Sequence, residues 1–240
     1  MAVVEIWEKR LLFSSTAGTL LAFLLQIIAV CTTHWLTFRI PGGLMDNTTG
    51  KPSVLLQVES GLWRICESGY KPAKIDGTGL KTSYEKCSSH NMFPSQETIK
   101  EDNSVSIKLL DYMRTGSAFG IICLLIMFLG HLFAIYTLKR PRYVLKRLTA
   151  LMHFMTAACV LVENEVFIRQ VDYSRRDLPE RLPSEAEWKF GYSFVLSWIS
   201  FGLYVIAGCI FLFMSHKKKQ GFGETGDKLA EEDEPVAIRR

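Results

Sequence analysis

Four stretches of the chain are apolar on every face, and polar or turn-forming segments separate them. A bilayer core is about 30 Å thick and a helix rises about 1.5 Å per residue, so about 20 apolar residues cross it. Residues 11–31, 116–136, 148–168 and 191–214 each meet that length. A soluble helix buries one stripe and wets the rest, so apolarity all round predicts spans rather than core helices. The run at 11–31 is longer than the roughly 7–15 apolar residues of a secretory signal. No small-x-small cleavage pattern leads out of it; Cys31-Thr32-Thr33-His34-Trp35 follows instead. It reads as a retained helix.

Charge then orients the spans. The net charge is only +4, so the position of the basic residues says more than their number. Lys9 and Arg10 precede the first span, and Lys139, Arg140, Arg142, Lys146 and Arg147 fill the link between the second and third. Lys217, Lys218 and Lys219 follow the fourth. Four spans bring all three clusters to one side, which the positive-inside rule makes the cytoplasm. Arg169, Arg175, Arg176 and Arg181 lie on the other side, offset by nearby acids.

The expected organisation follows: a cytoplasmic N-terminus at 1–10, spans at 11–31, 116–136, 148–168 and 191–214, and a cytoplasmic link at 137–147. A large outer loop covers 32–115, a short one covers 169–190, and an acidic cytoplasmic tail covers 215–240. The location implied is the plasma membrane. The basic clusters suit anionic lipid rather than nucleic acid.

Six cysteines divide by compartment. Cys31, Cys123, Cys159 and Cys209 fall in the spans, where a cysteine is by default a small apolar residue. Cys66 and Cys87 fall in the outer loop, where oxidising conditions favour a disulfide. Closing a loop of about 20 residues stabilises by roughly 3 kcal/mol on a chain-entropy argument. A metal reading of Cys66, Cys87 and His90 offers only three ligands, and the compartment opposes it. Val54-Leu55-Leu56-Gln57-Val58 and Gly61-Leu62-Trp63-Arg64-Ile65-Cys66 read as strands, and Lys71 through Thr82 as an exposed excursion. Asn47-Thr48-Thr49 is a glycosylation sequon on the side where glycans are added.

Trp35, then Gly61-Leu62-Trp63, then Cys66 and Cys87 form a W…GLW…C…C series that resembles the signature of the claudin, peripheral myelin protein and calcium-channel gamma superfamily. The resemblance covers about Leu11 to Met214. It implies a left-handed four-helix transmembrane bundle topped by an antiparallel extracellular sheet of about five strands. It also implies a helix at about Val105 to Arg114 leading into the second span. Trp63 would lie under the sheet near the membrane interface, and packing is the role preferred for it and for Trp35.

Several residues are most similar to the gamma, or stargazin-like, branch. These are Gly61-Leu62-Trp63-Arg64-Ile65-Cys66, the wide spacing of the two cysteines, and the sequon between Trp35 and the tripeptide. Val162-Glu163-Asn164-Glu165-Val166 with Arg169-Gln170, and Phe190-Gly191-Tyr192-Ser193-Phe194 before the fourth span, add to it. Stargazin-like subunits end in a PDZ ligand, which needs an apolar last residue. Ala237-Ile238-Arg239-Arg240 departs from that pattern, and Glu231, Glu232, Asp233 and Glu234 mark a solvated tail.

Glu163 and Glu165 stand out because an acid inside a span is costly and faces a partner or water. The plain expectation places both at the outer interface, with Glu165 pairing with Arg169 one turn on. The sharper one makes Glu163, with Glu165 beside it, a contact for a polar group on a partner channel helix. His131 and His153 could hydrogen-bond inside the bundle. Ser14, Ser15, Thr16, Gly18 and Thr19, and Gly116, Gly120 and Gly130, offer small surfaces for helix packing.

Catalytic signatures are missing: no HExxH, P-loop, Rossmann glycine pattern or Ser/His/Asp spacing occurs. No filter-like loop or ring of acids suggests a pore. A non-enzymatic role with no cofactor and no small-molecule substrate is expected. The resemblance implies an auxiliary subunit that modulates gating or trafficking of a voltage-gated calcium channel or an AMPA-type glutamate receptor. The alternative is a claudin-like junction protein forming a paracellular barrier, and a third class is adhesion or trafficking, as in the peripheral myelin branch.

Overall fold

The computed structural model describes residues 2–46, 53–72, 81–95, 106–140, 142–178 and 186–217. In chain order the elements are α1 (Ala2–Cys31), β1 (Leu36–Asp46), β2 (Ser53–Ser60), β3 (Arg64–Pro72) and β4 (Lys81–Ser89). They continue with α2 (Ile107–Lys139), α3 (Tyr143–Asp177), β5 (Glu187–Phe190) and α4 (Tyr192–Lys217). The fold is a four-helix membrane bundle carrying a small antiparallel sheet. Each helix contains a stretch long and apolar enough to cross a bilayer.

Two helices are much longer than the spans read from the sequence. α2 has 33 residues and α3 has 35, so each reaches about 50 Å and outruns a core of about 30 Å. The helix expected around Val105 to Arg114 is the opening of α2 itself. It starts at Ile107, where Ser106 caps it by accepting from the Leu109 amide at 3.1 Å. α3 runs on past Ile168 to Asp177. The opening of α2 packs on the far end of α3 through Leu109, Met113 and Leu178, and Val171 in the α3 extension packs with the sheet residues.

The five strands lie in the order β4-β3-β2-β1-β5, every pair antiparallel. Val54–Val58 lies within β2, as its β-branched pattern suggests. Gly61-Leu62-Trp63 does not form a strand: it is the turn between β2 and β3, closed by the Gly61 amide donating to the Arg64 carbonyl at 2.9 Å. β1 slips register between Arg39 and Leu44, where Gly42 (φ 83°) and Gly43 (φ 75°) take left-handed conformations open to glycine. β5 comes from the loop between α3 and α4, yet it pairs Leu36 with Phe190 and so ties the short outer loop to the long one.

Strand alternation points Leu36, Phe38 and Ile40 to one face, where they pack with Val58, Leu62, Phe167, Val171 and Phe194. A second cluster around Cys123, Met127, Val160 and Tyr204 fills mid-bundle, and a third around Leu12, Ala134, Ala150 and Phe211 fills the other end.

Candidate functional site

The signature residues assemble the seat on which the sheet rests. Trp35 is fully buried; its indole N–H donates to the Ala29 carbonyl at 2.6 Å, and its ring packs on Phe167 (5.0 Å) and Phe194 (6.1 Å). One side chain thereby joins the end of α1 to α3 and α4. Trp63 is only half-buried at the edge of the same cluster, so Trp35 holds the buried position under the sheet.

Gly61 sits where a side chain would collide with the Thr32 carbonyl and come within 2.9 Å of Thr33 Cα. The chain crosses itself there, which is why the tripeptide begins with glycine. Leu62 then enters the mouth of the bundle and is 5% exposed, while Ser117 Oγ donates to its carbonyl at 3.1 Å. A Cβ placed on Gly120 would lie 3.5 Å from Leu62, 3.7 Å from Val30 and 3.1 Å from Glu163 Oε1. Gly120 is therefore the node at which α1, α2, α3 and the β2–β3 turn converge.

Cys66 and Cys87 face each other across β3 and β4 and are joined as a disulfide. The one group of three potential metal ligands among the described residues is Cys66, Glu85 and Cys87. Both of its sulfurs are committed to each other, so the group is not a metal centre. The α4 end of the seat is fixed by backbone: the Gly191 amide donates to the Trp35 carbonyl at 2.9 Å and the Ser193 amide to the His34 carbonyl at 3.1 Å. Phe190 stacks on Phe194 at 4.3 Å. On the rim His34 meets Glu59 at 3.0 Å and the Tyr192 hydroxyl at 3.1 Å.

Glu163 is not where either expectation put it. It is fully buried inside the bundle, where it accepts a hydrogen bond from Gln26 Nε2 at 2.8 Å. It reaches neither headgroup water nor the outer surface. Helix α3 continues well beyond it, so the end of the apolar run is not the end of the helix. Glu165 is exposed, and among the described residues no ion pair joins it to Arg169. Asn47 and the acidic tail lie outside the described residues.

Around Glu163 runs a polar seam that the sequence reading missed. Ser197 donates to Asn164 Oδ1 at 2.8 Å, Ser200 to the Ala22 carbonyl at 3.0 Å and Tyr204 to the Thr19 carbonyl at 3.3 Å. In lipid the apolar effect does not drive helices together, so such bonds and close packing hold the bundle. Gln26 was the available signal, a lone amide in an otherwise apolar run. Among the described residues His131 bonds the Met127 carbonyl in its own helix, and His153 packs against Tyr204 and Phe211.

The seat, the seam and the disulfide-bridged sheet can be set beside known proteins. A family model described as PMP-22/EMP/MP20/Claudin tight junction matches residues 20–213. The chain belongs to this family. The match begins in α1 and ends in α4, so it takes in the whole seat and all five strands. Relatives include the mouse voltage-dependent calcium channel gamma-5 subunit, 23% identical over 190 residues, which are 78% of this chain and 64% of that protein. The rat gamma-3 subunit is 26% identical over 212 residues, 86% of this chain and 61% of that protein. The chain thus spans a little under two thirds of the length of these relatives.

Proposed function

We propose that this chain is a non-enzymatic gamma-type auxiliary subunit that binds the pore-forming subunit of a voltage-gated calcium channel and biases its gating or trafficking. An AMPA-type glutamate receptor is the variant of the same role. The reading is carried by the relatives, which are named calcium channel gamma subunits and match over most of this chain. The geometry supports it. Ile121 and Leu125 on α2, Leu151 on α3, and Val195 and Ile206 on α4 face outward, apolar and exposed, free for bilayer or a neighbouring channel helix. Burial of Glu163 moves the contact away from that acid and onto these apolar faces.

The topology belongs to the same proposal. Both termini and the basic link lie in the cytoplasm, the sheet lies outside the plasma membrane, and Asn47 carries a glycan. Sheet and helices form one connected body, so contact at either level restrains both. A subunit that prefers one channel state by about 1.4 kcal/mol changes the ratio of states about tenfold. Recording the voltage dependence of inactivation with and without the chain tests the role: a shifted midpoint supports it, and an unchanged midpoint with unchanged surface current opposes it.

A claudin-like junction is the second reading, favoured by the tight-junction description of the matched family. It requires the protein to concentrate in strands at cell–cell contacts, which imaging distinguishes from an even surface distribution.

A further inference from the structure

A cavity of about 410 Å³ lies between the inner face of the sheet and the outer reach of α3. Its deep end is apolar: Phe38, Val58, Phe167 and Val171 are each no more than 8% exposed. Phe167 is the last residue but one of the apolar run at 148–168, so the cavity floor lies level with the outer end of that run. Val171 and Ser174 carry the wall upward along α3. The volume falls at the small end of the about 300–1,000 Å³ typical of ligand pockets.

One residue breaks the pattern of this wall. Register places Phe38 opposite Val58 and Val58 opposite Glu67, so a carboxylate occupies the inner row of the sheet where its neighbours are apolar. Glu67 is half-buried, and it is the one carboxylate in the lining, which includes no Lys or Arg. The cross-strand neighbour Lys86 is exposed on the edge strand, and no ion pair joins the two among the described residues. His90, also in the lining, is engaged with the Gly61 carbonyl at 3.1 Å and Ser60 Oγ at 3.4 Å.

We propose that this cavity binds a single-chain amphipath with a cationic head, its alkyl chain between Phe38, Val58, Phe167 and Val171 and its amine on Glu67. The volume suits one chain rather than two. Amphipaths partition at the membrane interface, where headgroup and hydrocarbon meet, so the membrane supplies this ligand at the level of the cavity floor. The charge selects the head: an amine meets Glu67 as a charge-assisted hydrogen bond, whereas a carboxylate head meets a like charge. The site does not depend on the auxiliary-subunit reading.

The test uses the full chain in lipid nanodiscs with three photoreactive probes of equal chain length: a decylamine, a decanoic acid and a decanol, each with a diazirine at the chain end. The decylamine is expected to label peptides containing Phe38, Val58 and Val171 about tenfold more than the acid does, the scale of one hydrogen bond to a charged group. Glu67→Gln should erase that preference while the Cys66–Cys87 disulfide stays formed. Val58→Trp, which fills the deep end, should lower labelling by all three probes. Labelling confined to lipid-facing positions such as Leu125 and Ile199 would overturn the proposal. So would equal labelling by amine and acid, or a preference that survives Glu67→Gln.

Discussion

Gln26 and Glu163 are 137 residues apart in sequence and 2.8 Å apart in the bundle, joined by an amide-to-carboxyl hydrogen bond between α1 and α3. Both are completely buried. Within a bilayer neither can turn to water, so the pair is a fixed connection between the first and third spans.

That connection makes the two residues interdependent. Gln26→Leu deprives Glu163 of its amide donor and should cost about 1–3 kcal/mol, the penalty for losing a hydrogen bond at a buried group. Removing both with Gln26→Leu and Glu163→Leu should cost less than the sum of the single changes. Thermal unfolding in a mild detergent measures the cycle, and strictly additive costs would contradict the pairing.

Glycines in this fold separate into those the packing needs and those it does not. A side chain at Gly61 collides with backbone at Thr32 and Thr33, whereas nothing lies within 4 Å of the position a Cβ would take on Gly18. Gly61→Ala should therefore sharply reduce the yield of folded protein. Gly18→Ala should be neutral, or stabilising by up to about 1 kcal/mol through helix propensity. Gly120→Ala should fall between them, costing about 1–3 kcal/mol as Glu163 and Leu62 shift to make room. Surface expression and melting temperature rank the three, and a tolerant Gly61 would refute the crossing described here.

Trp35 and Trp63 should differ although both belong to the same sequence series. Trp35→Phe loses the bond to the Ala29 carbonyl and part of a fully buried ring, a cost of about 1–3 kcal/mol. Trp63→Phe acts on a half-buried ring at the edge of the cluster and should cost less. The comparison of melting temperatures is direct, and the reverse order would show that the seat is wrongly assigned.

The disulfide joins two strands that are already neighbours, so its loss should loosen the β3–β4 end before the bundle. Cys66→Ser with Cys87→Ser should cost about 2–5 kcal/mol of sheet stability and speed amide exchange in β3 and β4, with the helices protected. Uniform loss of protection in helices and sheet would contradict a bundle that stands on its own polar seam.

The spans were readable because the bilayer demands a run of about 20 apolar residues and little else in a sequence looks like one. Their true ends were not. Ile107–Arg114 and Arg169–Asp177 carry charges that belong in a loop by hydropathy, yet they are helical and pack on each other through Leu109, Met113 and Tyr173. β2 showed in its Val-Leu-Leu-Gln-Val run, whereas β1 was hidden by Pro41-Gly42-Gly43, the residues that form its irregularity. β4 is an edge strand and, Tyr84 and Cys87 apart, polar, and β5 has four residues whose pairing partner lies about 150 positions away.

The same limit applied to the site. Trp35, Gly61, Leu62, Cys66 and Cys87 could be picked out as residues of unusual type in order. Glu163 could be picked out as costly, but its depth depended on how far α3 continues, which no local pattern records. Asn164 and Ser197 matter through neighbours on other helices, so single-sequence periodicity was silent about them, and Gly120 showed only as one of several small packing residues.

The proposed lateral association with a calcium-channel pore subunit is measured most directly by single-molecule counting after mild solubilisation. The tagged chain is co-expressed with a tagged pore-forming subunit, and co-diffusing complexes are scored against an unrelated four-span protein. A fixed stoichiometric complex is expected, retained with Glu163→Gln because that residue faces inward, and weakened by polar substitution of Ile121 or Val195. Co-diffusion no greater than the control, with the chain found only in homotypic assemblies, would contradict it.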